Sequence, residues 1–246
     1  MTRFSGLFIA TAVILFSTIS QASAQGLLTN FDVIGYSRDG RYFAFETFGR
    51  DPGTGTAYAS LYVQDVSTNR FVLGTPTNAK TIDPNEPLGS VMEKARAQTP
   101  TLLNDLEIDL PAIIEAMNGD GMADANTQKL DFGLLLNDGS GRIVGDYRLE
   151  LDSFDTSATT DCRGLSGSPT PKGFTLTLSS GDQDVVLHKD EVLTRSRGCP
   201  LSYEIKALFV PAGAVDISHG VALIAAQVQT DAGIVRQFLP VATGAR

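Results

Sequence analysis

Residues 31–73 read FDVIGYSRDGRYFAFETFGRDPGTGTAYASLYVQDVSTNRFVL, and this stretch decides the fold class. Phe31–Tyr36 has the composition of a strand, and Ser37-Arg38-Asp39-Gly40 is a turn, because Asp-Gly tolerates the positive φ angles of a tight hairpin. Arg41–Phe48 is a second strand, dense in aromatics. Asp51-Pro52-Gly53-Thr54-Gly55 is a loop. Tyr58–Val66 is a third strand, Ser67-Thr68-Asn69 a turn, and Arg70–Leu73 a fourth strand. The result is an antiparallel meander about as long as one propeller blade. A propeller is defined by repetition of such units. The sequence holds no second copy, so the meander is read as part of another β fold.

The strand signal returns beyond Leu130. Leu130–Leu136 is almost wholly apolar. Ile143, Gly145, Tyr147, Leu149 and Leu151 then alternate with Val144, Asp146, Arg148 and Glu150, the period of a half-buried strand. Phe174, Leu176 and Leu178 alternate with Thr175 and Thr177. Tyr203–Val210 and Ile234–Ala242 are further strands, and residues 152–173 form a long loop. Val221–Val228 is apolar on both faces, as expected of a central strand. Between the two strand regions lies a helical insertion at about 84–117. Asp83-Pro84 reads as its cap and first position. Leu88, Val91, Met92 and Ala95 share one face, and Pro111–Met117 adds a short helical turn. The expected fold is mainly β, an antiparallel sandwich or barrel-like domain with one or two inserted helices (α+β).

The N-terminus reads as an address. Arg3 precedes an apolar run from Leu7 to Ile19, and Ala22-Ser23-Ala24 offers small residues for cleavage. The run is shorter than the about 20 residues that span a bilayer. Residues 1–24 are therefore expected to be a signal peptide and 25–246 a single mainly β domain, periplasmic or secreted, with no integral membrane segment once cleaved. Cys162 and Cys199 are the two cysteines of the chain. In an oxidising compartment an even count favours pairing. No C-x-x-C context supports a redox pair, so a structural bridge is expected.

The 28 acidic side chains against 19 basic, net −9, repel phosphate backbones and argue against nucleic-acid partners. The 42% hydrophobic and 19% charged content is that of a folded domain.

Three segments together resemble the DUF2259 family of predicted secreted bacterial proteins of unknown function: GYSRDGRYFAFETFGRDPGTGTAYASLYVQDVSTNRFVLGTP at 35–76, RSRGCPLSYEI at 195–205, and VALI with RQFLPVATG at 221–244. The resemblance spans essentially all of 25–246. It implies export and one domain, and it assigns no catalytic residues.

Candidate chemistry is sparse. Gly164-Leu165-Ser166-Gly167-Ser168 lacks the last glycine of a nucleophile elbow and sits in a loop. His188 and His219 are the histidines a nucleophile could use. Asn118-Gly119-Asp120-Gly121 with Asp124 hints at a calcium loop, but Met122 occupies a ligand position, so a solvated turn is preferred. Gly49–Gly55 lacks the lysine and helix of a phosphate loop. Glu46 and Asp65 lie on neighbouring strands, with Arg41, Arg197 or Arg236 as partners, and a structural ion pair is the expected role. Tyr36, Tyr42, Phe43, Phe45, Phe48, Tyr58 and Tyr62 read as core rather than as a sugar- or peptide-binding face. No catalytic, cofactor or metal set is expected. The leading reading is a non-catalytic exported binding or envelope-associated module with an envelope protein or small molecule as partner. The alternative is a periplasmic hydrolase of envelope glycans or esters, recruiting Glu46, Asp65 or His188.

Overall fold

Gly40 turns where the sequence asks it to: its φ is +73° and its amide donates to the Ser37 carbonyl at 2.9 Å. This turn joins β1 (Asn30–Ser37) to β2 (Tyr42–Arg50) in the computed structural model, which describes residues 28–120, 126–136, 139–165 and 167–244. The Asp51 carboxylate accepts from the amides of Gly53 and Thr54 and shapes the loop to β3 (Ala57–Asp65). Asn69, at φ +54°, turns the chain into the short β4 (Arg70–Phe71). β5 (Thr77–Lys80) returns to pair with β3.

The helical part is shorter than 84–117. α1 covers Leu88–Arg96 and α2 Leu102–Asp105. Asp83 does not cap α1; its carboxylate holds the amide of Asn85 in a turn instead. The reason is Pro87, which disfavours helical geometry at Glu86 and delays the helix to Leu88. Val91 and Ala95 are buried and pack on Ala57 and Ala59 of β3, with Leu88 and Met92 beside them. Pro111–Met117 is not helical. β6 (Ile108–Leu110) joins β1, and β7 (Ala112–Met117) pairs with the later strand Cys199–Pro211, where β-branched Ile113 and Ile114 suit a pleated edge.

The remaining strands are β8 (Lys129–Leu135), β9 (Ile143–Asp155), β10 (Lys172–Ser180), β11 (Gln183–Lys189), β12 (Cys199–Pro211), β13 (Val221–Thr230) and β14 (Gly233–Ala242). They complete three antiparallel sheets: β4-β3-β2-β1-β6 with β5, β11-β10-β9-β8, and β14-β13-β12-β7. The third sheet lies between the other two. One of its faces sets Ile205, Leu208, Ala222, Ile224 and Val228 against Leu149, Leu151, Phe174 and Leu176. The opposite face sets Ala207, Phe209, Leu223, Ala225 and Phe238 against Tyr36, Phe43 and Phe45. A strand covered on both sides is apolar on both faces, which accounts for the fully buried run Val221–Ala226. None of the sheets closes on itself, so the architecture is a layered sandwich and not a barrel. In β12 the register shifts between Ile205 and Ala207. The bulge leaves Lys206 without a partner on β13 and lets Ala207 face the layer opposite to Ile205.

Candidate functional site

A cleft of about 610 Å³ opens where the first sheet meets β14. Alternation builds its walls. On β2 and β3, the residues facing the central sheet include Thr47, Tyr58, Ser60 and Tyr62; Glu46 and Asp65 point the other way, toward the helices. Gly49 stands opposite Tyr58, where any Cβ would collide with the phenol. The Tyr58 hydroxyl bonds Thr29 at 2.9 Å, and burial raises its pKa. Phe71 and β14 residues 235–239 complete the walls. A second hollow of about 200 Å³ adjoins it, sharing Phe71, Arg197 and Leu239 and adding Gln64 and His188.

Two arginines line this cleft. Arg197 sits on a 3-10 turn, Arg195–Arg197, that ends at Gly198 with φ +62°. Cys199 follows at once and is bridged to Cys162, so the expected disulfide exists and fastens this turn to the 156–165 segment. The Arg197 guanidinium lies over the rings of Phe174 and Tyr203 and donates through Nη2 to Asp190 Oδ1 at 2.9 Å. His188 Nε2 lies 2.9 Å from the same oxygen, and Asp190 Oδ2 accepts from the Phe174 amide. Burial pushes the Asp190 carboxyl up, but His188, the Arg197 charge and that amide together hold it below the ordinary value. Arg236 on β14 donates through Nη1 to Asp120 at 2.9 Å and lies over Phe238. Asp120 also binds Lys206, and these two cations lower its pKa. Arg197 Nη1 and Arg236 Nε are buried, and neither has a hydrogen-bond partner among the described residues.

The polar candidates therefore separate. Arg197 and Arg236 meet at one cleft. Glu46, 1% exposed, accepts from Arg96 of α1, and Asp65 accepts from Arg41, on the face away from it. Arg96 as the partner of Glu46 is not legible in the sequence, because nothing local ties a helix residue to a strand that precedes it by 50 positions. Ser60-Leu61-Tyr62 carries a clearer signal: a small polar residue and an aromatic sharing one strand face. Of the seven aromatics singled out, Tyr58 and Tyr62 line the cleft, Tyr36, Phe43 and Phe45 are core, and Phe48 packs by α1. Tyr42 lies on the helix-covered face with Ala44 and Val63. His188 adjoins the cleft, whereas Glu46 and Asp65 do not, so the three groups offered for a hydrolase do not converge. His219 lines a separate open hollow with Asp39 and Arg41. Ser166 and residues 121–125 of the calcium-like loop lie outside the described residues, as does the expected signal peptide. No group of three or more metal-type side chains occurs among the described residues.

A family model described as predicted secreted protein, DUF2259, matches residues 44–243. The chain belongs to the DUF2259 family. The matched span carries both arginines of the cleft, Tyr58, Tyr62 and the two cysteines. The family's description as secreted agrees with the disulfide of this DUF2259 protein. No curated protein and no solved structure matches the chain. Among the described residues no helix is long and apolar enough to cross a membrane.

Proposed function

We propose that this DUF2259 protein is a non-catalytic binding module of the bacterial envelope, a single domain after removal of residues 1–24, and that the cleft beside β14 takes a small-molecule ligand. The observation that carries this reading is the composition of the cleft. Its volume, about 610 Å³, is in the range of ligand pockets, and aromatic walls surround a few buried polar groups. The titratable groups around it are committed: Asp190 to His188 and Arg197, Asp120 to Lys206 and Arg236. The ion pairs fix the two arginines in place, which suits a preformed binding surface.

The test is a thermal-shift panel of amino acids, sugars, nucleotides and organic acids on protein 25–246. The expected result is at least one saturable hit whose amide chemical-shift changes map to β3 and β14 and vanish in Tyr62→Ala. A panel without hits, or hits that map elsewhere, would overturn the reading. Turnover in a panel of esterase and glycosidase substrates, lost on changing one side chain, would replace it with the hydrolase.

A further inference from the structure

Among the described residues, the side chains lining the cleft and its adjoining hollow include Arg197, Arg236 and His188, and no aspartate or glutamate. That is the reverse of the chain, which carries 28 acidic against 19 basic residues. The acids that pair with the two arginines, Asp190 and Asp120, are not among the lining residues. Arg236 has a side chain only 8% exposed, and its Nε–H has no acceptor among the described residues; neither does Nη1–H of Arg197. A buried donor without an acceptor is costly, and a small shift of either side chain that brings the donor to a ligand oxygen removes the cost.

Resting on the binding-module reading, we propose that the ligand is an organic monoanion, with a carboxylate head at the Arg236 and Arg197 end and a ring-sized apolar body between Tyr58, Tyr62 and Phe71. The charge count sets the head. Arg197 and Arg236 are each already paired with a carboxylate, which suits a singly charged head rather than a multiply charged phosphate. The aromatic walls set the body, because planar rings gain from offset contact with tyrosine and phenylalanine faces. The net negative charge of the protein disfavours adventitious anions at its surface, so anion binding has to be local.

The experiment is calorimetry on disulfide-intact protein 25–246 with naphthalene-2-carboxylate and its neutral isostere 2-naphthamide. The carboxylate is expected to bind with one-to-one stoichiometry and at least tenfold more tightly than the amide. Arg236→Gln is expected to weaken the carboxylate far more than the amide and so to remove that preference, and Tyr62→Ala to weaken both ligands. The wild-type comparison stands even if Arg236→Gln fails to fold. Equal affinity for the two ligands, both weakened by Tyr62→Ala, would overturn the anion assignment and leave the binding cleft standing. Binding insensitive to Tyr62→Ala and Arg236→Gln, or no saturable binding of either probe, would overturn the cleft and the anion together.

Discussion

Replacing both cysteines, Cys162→Ala with Cys199→Ala, removes a cross-link between residues 37 positions apart. In the chain-entropy description a loop of that length restricts the unfolded chain by about 13 cal/mol/K, or about 4 kcal/mol at 298 K. Cys199 is fully buried and Cys162 is 5% exposed, so each lost sulfur also leaves a methyl-sized gap that costs about 1 kcal/mol. The expected loss is therefore about 4–6 kcal/mol. For a chain of this size the entropic part alone corresponds to a fall in melting temperature of roughly 8–16 °C. Urea unfolding of protein 25–246, followed by circular dichroism, reads both midpoint and slope. The slope should steepen, because the unfolded chain without its tie exposes more surface. Reducing the wild type should reproduce most of the loss. Hydrogen exchange adds a local readout: the Gly198 amide, bonded to the Arg195 carbonyl at 3.2 Å, should exchange faster once Cys199 is untied. A loss below about 1 kcal/mol with an unchanged slope would refute the reasoning, since it would mean that the bridge restrains neither the unfolded chain nor the turn carrying Arg197.

Phe209 is 2% exposed and meets Phe43 at 5.8 Å and Phe31 at 6.1 Å; Phe209→Ala should cost about 3–5 kcal/mol in the urea midpoint. Gly35 has φ +145°, and a Cβ there would sit 2.5 Å from the Leu110 carbonyl oxygen, so Gly35→Ala should lower stability by about 1–3 kcal/mol and loosen β6 by hydrogen exchange. Arg96→Met leaves the Glu46 carboxylate buried and unpaired, at a cost discounted to about 1–3 kcal/mol because Arg96 is 43% exposed. Adding Glu46→Leu should restore part of it in a double-mutant cycle. In the folded state the Asp190 carboxyl is held below its ordinary value, so as pH falls the unfolded chain takes up the proton first. Its stabilisation is full above the ordinary carboxylate range and is lost as pH drops through the folded value. Asp190→Asn should flatten that acid limb in melting temperatures taken from about pH 7 to pH 2, and an unflattened limb would contradict the pairing with Arg197 and His188.

Alternation along 31–73, the Asp39-Gly40 turn and the apolar spacing of Leu88, Val91, Met92 and Ala95 are properties of neighbouring residues, and the amino-acid order alone makes them legible. The same holds for the two-faced apolarity of Val221–Val228, because a strand buried from both sides has nowhere to put a polar group. The pairing of Cys162 with Cys199 follows from compartment and count. What lies beyond the sequence is every choice of partner across long separation. Pro111–Met117 is a strand because β12 offers it an edge, and the Glu86-Pro87 step, not Asp83-Pro84, sets where α1 begins. Glu46 and Asp65 lie on the face away from the cleft, while Arg197 and Arg236, 39 positions apart by number, line it together. Period and turn chemistry act over a few residues, whereas the face a strand shows to a cavity depends on register, on the bulge at Lys206 and on how three sheets stack.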